Sequence, residues 1–264
     1  MRDPARQTCI TLAPMSQQPH SILITGASSG IGARVAQLFA DEGADVAVNY
    51  PNDSQLENAR AVVAEVEKRG RKAVAMQADV SKADETDAMV DQFLSEFGHV
   101  DILVNNAGIG LTSMVDEMSV EMWDQMIAVN LRSVFLMTHK VLPHMYAQGH
   151  GKIINTASQL AYKGAPGLAH YTASKAAIVS FTRSLSLEIG DRGVNVNCVA
   201  PGATTTPILD GMDADILEAI RQTIPRGRFA VVDEIAPTYV FLASAAGDHF
   251  VGQCLSPNGG DIFL

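Results

Sequence analysis

Several residue types and patterns are scarce in this 264-residue chain, and each scarcity excludes a class of protein. The three cysteines, Cys9, Cys198 and Cys254, form no CxxC pair, so neither a disulfide framework nor a cysteine-rich zinc site is predicted. No apolar run reaches the roughly 18 residues that a membrane-spanning helix needs. Lys and Arg number 19 against 29 Asp and Glu, and the resulting net charge of −10 argues against a nucleic-acid surface. We therefore expect no metal, no membrane and no nucleic acid among the partners.

What remains is the composition of an ordinary globular protein. Hydrophobic residues make up 47% of the chain and charged residues 18%, which suits one large α/β domain with a sizeable core. We assign this single domain to residues 20–264. Residues 1–19 are interpreted as a flexible extension, because their apolar section is too short and broken for a signal peptide. The scattered cysteines fit a reducing, cytoplasmic compartment.

Short apolar runs and amphipathic segments alternate along the chain. The runs are short and rich in β-branched residues, as buried parallel strands are. They occupy residues 21–25, 44–50, 72–80, 100–108, 152–158, 194–202 and 250–260. This alternation predicts an α/β fold of the Rossmann type, with a doubly wound, seven-stranded and mostly parallel sheet flanked by helices on both faces.

Two segments depart from this rhythm. One long helix is predicted from about Val120 to Gln148, and Pro143 is expected to kink it or to end its regular part. Asn130 lies in an apolar stretch of this helix and needs hydrogen-bond partners, so it is either locally satisfied or marks a bend or water site. Residues 203–228 form an excursion beyond the carboxyl ends of the strands, where doubly wound sheets bind ligands, and are predicted to be a substrate loop or lid.

A glycine-rich turn follows the first strand. Gly26, Gly30 and Gly32 have the spacing GxxxGxG, which differs from the GxGxxG dinucleotide fingerprint. The same physics applies, because glycine lets the backbone approach a pyrophosphate and the next helix begins with free N–H groups. The turn favours a dinucleotide site, and the simpler alternative is a glycine-rich turn without a ligand.

The end of the second strand bears on which dinucleotide is bound. An acid there would bond the ribose 2′-hydroxyl of NAD and repel the 2′-phosphate of NADP. This chain has Asn49, Tyr50, Pro51 and Asn52 at these positions, and Ser29 stands where a base would meet a 2′-phosphate. NAD and NADP both stay open, and the missing acid favours NADP.

The stretch 155–175 contains a hydroxyl, a phenol and an amine, in Ser158, Tyr171 and Lys175. Tyr171 and Lys175 are four residues apart and share one face of a predicted helix. A neighbouring ammonium favours the phenolate, and moving a tyrosine pKa from about 10 to about 7 takes about 4 kcal/mol. The three residues predict a proton-transfer site, although YxxxK alone also describes a half-buried Tyr beside a surface Lys.

The ordered motifs TGASSGIG (25–32), NNAG (105–108), Asn130, Ser158, YTASK (171–175) and PG (201–202) resemble those of the short-chain dehydrogenases/reductases. The resemblance spans residues 20–264. It implies that Tyr171 is the general acid/base and that Ser158 hydrogen-bonds the substrate oxygen. It also implies that Lys175 bonds the nicotinamide ribose and lowers the pKa of Tyr171, while Asn130 holds a water beside Lys175.

The same resemblance implies positions for a cofactor and a substrate. The cofactor-binding positions are Gly26, Ser28, Ser29, Gly30, Ile31, Gly32, Asn49, Tyr50, Asp79, Val80, Asn106, Ala107, Gly108, Tyr171, Lys175, Pro201, Gly202, Thr204 and Thr206. The substrate wall comprises Ser158, Gln159, Leu160, Tyr162, Leu168, Tyr171, Pro207, Ile208 and Met212, with Ile109 beside them. Thr204 departs from the family, which usually has an apolar β-branched residue here.

The implied activity is that of an NAD(P)-dependent oxidoreductase, which interconverts a secondary alcohol, or a sugar or polyol hydroxyl, and a ketone by hydride transfer. The chain is similar to 3-oxoacyl-carrier-protein reductases and to sugar and alcohol dehydrogenases. A carrier-protein or CoA thioester reductase is an alternative, but the corresponding docking positions, Pro143 and Leu187, are not basic and the net charge of −10 opposes an acidic carrier. An alternative of another class is a cofactor sensor or scaffold without turnover. The family also implies a homotetramer that pairs through the helices at 120–148 and 170–190.

Overall fold

The structure is a computed structural model that describes residues 20–263. The predicted extension over residues 1–19 lies outside the described residues, as does Leu264. Within residues 20–263 one sheet has seven strands in the order β3-β2-β1-β4-β5-β6-β7, and every neighbouring pair is parallel. The strands are Ser21–Ile24 (β1), Asp45–Tyr50 (β2), Ala73–Gln77 (β3), Ile102–Asn105 (β4), Gly151–Thr156 (β5), Val194–Val199 (β6) and Cys254–Leu255 (β7). The prediction of a doubly wound, seven-stranded sheet is confirmed.

Helices connect the strands and cover both faces of the sheet. In the described part of the chain they are Gly30–Asp41 (α1), Leu56–Glu67 (α2), Ala83–Phe97 (α3), Val120–Ile127 (α4), Ser133–Gln148 (α5), Ala169–Ile189 (α6), Ala214–Thr223 (α7), Val232–Ile235 (α8) and Pro237–Ala243 (α9). Short 3₁₀ turns occupy Asp53–Gln55, Gln159–Ala161, Pro207–Leu209 and Ala245–Gly247.

Alternate residues of each strand enter opposite cores, because successive side chains of a strand point to opposite faces. Ile22 and Ile24 pack with Phe39 of α1 and with α2 and α9 on one face. Leu23, between them, packs with Met137 of α5 and with α3 and α6 on the other. Both faces are apolar, which explains why the strands appear as continuous apolar runs in the sequence.

The seventh strand is much shorter than the predicted run of residues 250–260. Only Cys254 and Leu255 pair with β6. Gly252 precedes them with φ of +65°, which breaks the extended backbone. Pro257 follows them and has no N–H for a ladder hydrogen bond, so the chain turns away from the sheet edge.

The long helix predicted from Val120 to Gln148 is interrupted by a π-helical turn at Ala128–Arg132, which joins α4 to α5. Pro143 does not end the helix, which continues to Gln148 and stops before Gly149 with φ of +75°. Proline leaves the carbonyl of residue i−4 without its helical partner. Here that residue, His139, is exposed, so water can satisfy its carbonyl.

Two kinds of site are absent from the described residues. No helix within residues 20–263 is long and apolar enough to cross a membrane. Across the same residues, no group of three or more His, Cys, Asp or Glu side chains is arranged to hold a metal ion.

Candidate active site

The carboxyl ends of the parallel strands lie along one edge of the sheet, and the strand order reverses between β1 and β4. Doubly wound sheets bind ligands in the crevice at such a reversal. Gly26 follows β1, Asn106 follows β4, Ser158 follows β5 and Gly202 follows β6. Parallel topology therefore gathers motifs that lie far apart in the sequence at one edge.

The turn after β1 requires its glycines. Gly26 has φ of +60°, and a Cβ on it would lie 2.8 Å from the Cα of Ala107. A Cβ on Gly32 would lie 2.5 Å from Nδ2 of Asn106. The twelve-residue α1 begins at Gly30, and its N-cap residue Ser29 makes no side-chain cap. Bare backbone beside an uncapped helix N-terminus is a cradle that fits a pyrophosphate.

The other residues of the turn are partly enclosed. Ser28 is buried and its hydroxyl lies 3.4 Å from Oε1 of Gln55. Ile31 packs against the core beside α1. A pocket of about 360 Å³ beside the turn is lined by Ser28, Ser29 and Asn58, among others.

Asn49 and Tyr50, at the end of β2, are buried. The Asn49 side chain accepts a hydrogen bond from the Gly26 N–H at 3.0 Å and donates to the Ala78 carbonyl at 3.0 Å. The Tyr50 hydroxyl lies 3.4 Å from Oε1 of Gln77. Asn49 thus joins the glycine turn to Ala78, the residue after β3. Neither Asn49 nor Tyr50 presents a charged side chain to the crevice.

Thr25 is absent from the predicted set, yet it joins the glycine turn to the segment after β4. Its hydroxyl accepts hydrogen bonds from the N–H groups of Asn106 and Ala107, each at 3.0 Å. Asn106 in turn donates to the carbonyls of Thr25 and Gly26 at 3.1 and 3.0 Å. The signal in the sequence is a hydroxyl residue that closes an apolar strand directly before the glycine turn.

Asp79 and Val80 follow β3 on the side predicted for the adenine. The Asp79 carboxylate accepts from the N–H and the hydroxyl of Ser81 at 3.0 and 2.7 Å. The Asp79 N–H donates to the Glu85 carboxylate at 2.7 Å, and Val80 is buried. These bonds hold the loop after β3 in one conformation.

Asn130 lies in the π-helical turn and is fully buried. Its Oδ1 accepts from the Ile109 N–H at 2.8 Å, and its Nδ2 donates to the Ile109 carbonyl at 3.0 Å. A Cβ on Gly108 would lie 3.3 Å from this Oδ1 and 3.4 Å from Nζ of Lys175. Asn130 is both locally satisfied and at a helix irregularity, a feature common at functional sites.

Lys175 and Tyr171 lie near each other on α6, as their spacing predicts. Lys175 is buried and its Nζ donates to the Thr156 carbonyl at 2.9 Å, 5.7 Å from the centre of the Tyr171 ring. Burial lowers the pKa of Lys175 to about 8. Burial also raises the pKa of Tyr171, and the hydrogen bond with Ser158 offsets only part of that. The direction is opposite to the predicted lowering, because desolvation of the phenolate outweighs the favourable contacts.

Ser158 is the N-cap residue of the 3₁₀ turn that follows β5. Its oxygen accepts from the Leu160 N–H at 3.1 Å, and its hydroxyl is close enough to Tyr171 to affect the pKa of that phenol. The Ser158 proton is not used by the Leu160 bond. It can therefore be donated to the Tyr171 oxygen or to another oxygen in the crevice.

The segment after β6 supplies the residues predicted beside the carboxamide. Pro201 is buried, and a Cβ on Gly202 would lie 2.6 Å from the Cα of Asn258. The Thr204 hydroxyl donates to the Gly202 carbonyl at 2.8 Å. Thr204 thus departs from the family pattern without leaving a buried hydroxyl unpaired.

The predicted lid reaches back over the crevice. A Cβ on Gly30 would lie 3.4 Å from Thr206, and a Cβ on Gly110 would lie 3.1 Å from Ile208. The 3₁₀ turn at Pro207–Leu209 therefore approaches both the glycine turn and the segment after β4. Among the predicted wall residues, Ile109, Leu160, Leu168 and Met212 are half-buried, whereas Tyr162, Pro207 and Ile208 are exposed.

Two predicted wall residues interact elsewhere in the protein. Burial raises the pKa of the Tyr162 phenol, and the Cys254 thiol of β7 lies close enough to raise it further. The Gln159 side chain is buried and donates to Oδ2 of Asp261 at 2.6 Å. Asp261 is a further residue that the sequence does not single out, because it lies 102 positions from its partner.

His170 precedes Tyr171 and is fully buried, with no hydrogen-bond partner at either ring nitrogen. Burial lowers the pKa of its imidazole, which is therefore neutral at neutral pH. Without a hydrogen bond His170 has no route for a proton toward the crevice.

Together, the doubly wound sheet, the glycine cradle and the Ser, Tyr and Lys side chains beside it define the class of dinucleotide-dependent oxidoreductases.

Comparison with known proteins identifies the family. The model of the short chain dehydrogenase family matches residues 20–216. The chain belongs to this family and is an NAD(P)-dependent oxidoreductase that acts on alcohol and keto groups.

Relatives cover nearly the whole chain. The 3-oxoacyl-[acyl-carrier-protein] reductase FabG of Staphylococcus aureus strain Mu50 is 41% identical over 240 residues, which are 91% of this chain and 97% of that protein. A (2S)-[(R)-hydroxy(phenyl)methyl]succinyl-CoA dehydrogenase subunit, BbsD of Thauera aromatica, is 39% identical over 246 residues, 93% of this chain and 98% of that subunit. A short chain dehydrogenase from Burkholderia cenocepacia J2315, solved in complex with NADP, is 36% identical with a TM-score of 0.86, over 92% of this chain and 98% of that one.

Proposed function

We propose that this protein reduces a ketone to a secondary alcohol with NADPH, and that Tyr171 is the general acid. The observation that carries the proposal is that the Tyr171 phenol lies close enough to Ser158 to share a hydrogen bond, and that Nζ of the buried Lys175 lies 5.7 Å from the centre of its ring. A phenol with its ordinary pKa of about 10 is already protonated at neutral pH, and burial shifts the pKa of Tyr171 further in the same direction. A protonated phenol is the form that can give a proton to a carbonyl oxygen, so the site suits reduction.

The roles of the side chains follow from which of them can donate a hydrogen bond or a proton to the substrate oxygen. The Ser158 hydroxyl donates a hydrogen bond to the substrate carbonyl oxygen and orients it. Tyr171 transfers its hydroxyl proton to that oxygen, which becomes the alcohol hydroxyl. Lys175 carries a positive charge below its pKa of about 8 and stabilises the phenolate that remains. The reduced nicotinamide, when bound, supplies the hydride to the carbonyl carbon.

Asn130 is a positioning residue in this scheme. Its side chain bonds both backbone groups of Ile109, at 2.8 and 3.0 Å. This bridge ties the π-helical turn to the segment after β4. Lys175 lies beside the same segment at Gly108, so Asn130 maintains the wall against which the ammonium rests.

The residues that would hold NADP(H) are those of the cradle and its neighbours. The glycine turn, Asn106 and Ala107 would hold the diphosphate and ribose side, Asp79 and Val80 the adenine side, and Pro201, Gly202, Thr204 and Thr206 the carboxamide side. NADP is favoured over NAD because no acid ends β2, where Asn49 and Tyr50 are turned into the protein. The Burkholderia cenocepacia relative in complex with NADP supports the same choice.

A second candidate substrate is a 3-oxoacyl thioester on a carrier protein. The Staphylococcus aureus relative, 41% identical, favours it. The exposed positions Pro143 and Leu187 carry no charge, and the net charge of −10 disfavours an acidic carrier. We therefore place a small free ketone first, and a comparison of a free ketone with the acyl-carrier substrate decides between the two.

The test is the Tyr171→Phe variant, assayed with NADPH and a panel of ketones. We expect turnover to fall by about 10²- to 10⁴-fold, since the general acid is lost, while NADPH affinity stays within a small factor. Tyr146→Phe is the matched control, because this half-buried tyrosine stacks on Arg192 away from the crevice. Oxidation of NADPH is followed by absorbance and binding by fluorescence.

Near-normal turnover of Tyr171→Phe would remove Tyr171 as the acid. Binding of NADPH by the unaltered protein without turnover on a broad panel would favour a cofactor sensor. Faster oxidation of NADH than of NADPH would overturn the choice of cofactor.

A homotetramer and a cytoplasmic location complete the proposal. Large apolar side chains are exposed on α4, α5 and α6, among them Trp123, Phe135 and Leu187, the last 90% exposed. Such a surface supports burial against other copies of the chain. Light scattering after size exclusion measures the assembly. The free thiols of Cys198 and Cys254 support a reducing compartment.

A further inference from the structure

The turn that carries Ser158 is held by a carboxylate from the C-terminal segment. Gln159 follows Ser158 and is 4% exposed. Its N–H donates to the Pro201 carbonyl at 3.0 Å, and its side-chain nitrogen donates to Oδ2 of Asp261 at 2.6 Å. The same Oδ2 accepts from Nζ of Lys163 at 2.6 Å. Asp261 thus holds both ends of the loop 159–163.

Asp261 is turned inward by the local backbone. Its side chain is 2% exposed. Gly259 and Gly260 precede it with φ of +68° and +92°, a conformation that other residues rarely adopt. The Asn258 side chain spans this bend by accepting from the Gly260 N–H at 2.8 Å and donating to the Ile262 carbonyl at 3.0 Å. The bend directs the carboxylate toward the loop after β5.

The carboxylate is ionised at neutral pH. Burial raises its pKa, but Lys163, Thr223 and Gln159 outweigh burial and hold the pKa below its usual range. An ionised carboxylate only accepts hydrogen bonds, so the Gln159 amide must present its nitrogen to Asp261. The amide oxygen of Gln159 is then left buried without a partner. Asp261 therefore determines the orientation of the Gln159 amide, because the surroundings of the amide oxygen offer it no hydrogen bond.

The C-terminal segment also reaches the end of the lid. The Arg226 N–H donates to the Gly259 carbonyl at 3.1 Å, and Ile224 lies 2.9 Å from a Cβ built on Gly259. The bend at 258–261 thus contacts the Ser158 loop on one side and the lid on the other.

We propose that Asp261 is a positioning residue for the reaction, which acts through Gln159 and Lys163 to hold the Ser158 hydroxyl in its reactive orientation. It touches neither substrate nor cofactor in this role. The inference rests on the proposed function, in which Ser158 orients the carbonyl oxygen. The hydrogen bonds of Gln159 and Lys163 to Asp261 are called the clamp below. Small displacements of an orienting group cost about 10²-fold in rate, so loss of the clamp should measurably lower turnover.

The test is Asp261→Asn in the full-length protein, alone and combined with Ser158→Ala. We expect Asp261→Asn to lower kcat about 10- to 100-fold with KM and NADPH affinity little changed. In the Ser158→Ala background the same substitution should have no further effect, because its effect passes through Ser158. A residue with only a structural role would lower both backgrounds alike.

Asp248→Asn is the matched control, because Asp248 pairs with Lys152 at the other edge of the sheet. It should leave kcat unchanged. Should Asp261→Asn fail to fold, Lys163→Met removes the other side of the clamp and is measured in the same two backgrounds.

Wild-type kcat in folded Asp261→Asn would overturn the inference, as would a loss that persists in full when Ser158 is absent. These outcomes are distinct from failure of the proposed function, which is decided by Tyr171→Phe alone.

Discussion

The amino ends of the parallel strands form one rim of the sheet, called here the amino edge, and their carboxyl ends form the other, the carboxyl edge. The surroundings shift the pKa values of buried ionisable groups differently at these two rims. At the amino edge, the buried Asp101 carboxylate lies 3.0 Å from His99, 3.5 Å from His150 and 3.6 Å from His20, and it accepts from the Ser21 N–H at 2.8 Å. Burial raises the pKa of Asp101, but His20, the Ser21 N–H and His99 outweigh burial and hold the pKa below its usual value. The surroundings at this edge therefore favour the ionised form of the Asp101 carboxylate.

At the carboxyl edge the surroundings disfavour the charged forms of the groups that they enclose. Burial lowers the pKa of Lys175 to about 8 and raises the pKa of Tyr171. Buried polar atoms without a hydrogen-bond partner occur at both edges, in His170 and Gln159 here and in His150 at the amino edge, so the contrast lies in the pKa shifts. Groups held away from their ordinary protonation equilibrium are common at catalytic sites. At the amino edge the surroundings thus favour the charged form of Asp101, whereas at the carboxyl edge burial opposes the charged forms of Tyr171 and Lys175.

Removal of Asn130 is expected to have the largest effect on turnover in this comparison. Asn130→Ala leaves both backbone groups of Ile109 without their partner and loosens the wall beside Lys175. We expect kcat to fall by about 10²-fold and the free energy of unfolding to fall by about 1–3 kcal/mol. Steady-state kinetics and urea unfolding measure the two effects.

Asn197→Ala is the control for Asn130→Ala. Asn197 is also buried and also bridges backbone groups, with the Gln253 N–H at 2.8 Å and the Phe250 carbonyl at 2.6 Å. It should lose similar stability with little change in kcat. Equal losses of kcat in both variants would show that Asn130 affects turnover only through stability and has no specific positioning role.

The pH dependence of ketone reduction should report Lys175. Its pKa is lowered to about 8, so the amine is charged below that pH and neutral above it. We expect kcat to fall about tenfold per pH unit above this pKa, because the charge that stabilises the Tyr171 phenolate is lost. Lys175→Met should lack this inflection, and an unchanged profile in that variant would assign the inflection to another group.

Substitution at the amino edge should leave turnover almost unchanged. Asp101→Asn removes a buried charge from three imidazoles, and we expect the free energy of unfolding to fall by about 1–3 kcal/mol while kcat is preserved. Since the folded-state pKa is lowered, this stabilisation is present at neutral pH and is lost as the pH falls through that pKa. Urea unfolding at neutral and acid pH measures it, and a large loss of kcat would break the contrast between the edges.

Much of the fold could be predicted because its signals are local. Apolar β-branched runs predicted all seven strands, although β7 is shorter than its run. The spacing of Tyr171 and Lys175 predicted their proximity on α6, because i and i+4 share a helix face. The roles of these residues stay predictions until the variants are measured.

Other features were not predicted because they depend on distant partners. The π-helical turn at Ala128–Arg132 forms where Asn130 bonds to Ile109, 21 positions away. β7 is short because Gly252 and Pro257 limit its pairing at a sheet edge. Asp101 and Asp261 were overlooked as single acids, since nothing nearby in the sequence indicates that three imidazoles or a buried glutamine will surround them.

The sequence by itself determined the alternation of strands and helices, the glycine turn that admits a dinucleotide, and the presence of a hydroxyl, a phenol and an amine at suitable spacing. These follow from backbone conformation and side-chain periodicity, which act over a few residues. Only the tertiary structure decided the direction in which the pKa values of Tyr171 and Lys175 are shifted and the hydrogen bond of Gln159 to Asp261. Desolvation depends on every element packed around a group, and for these residues the packing brings together β5, α6 and the C-terminal segment.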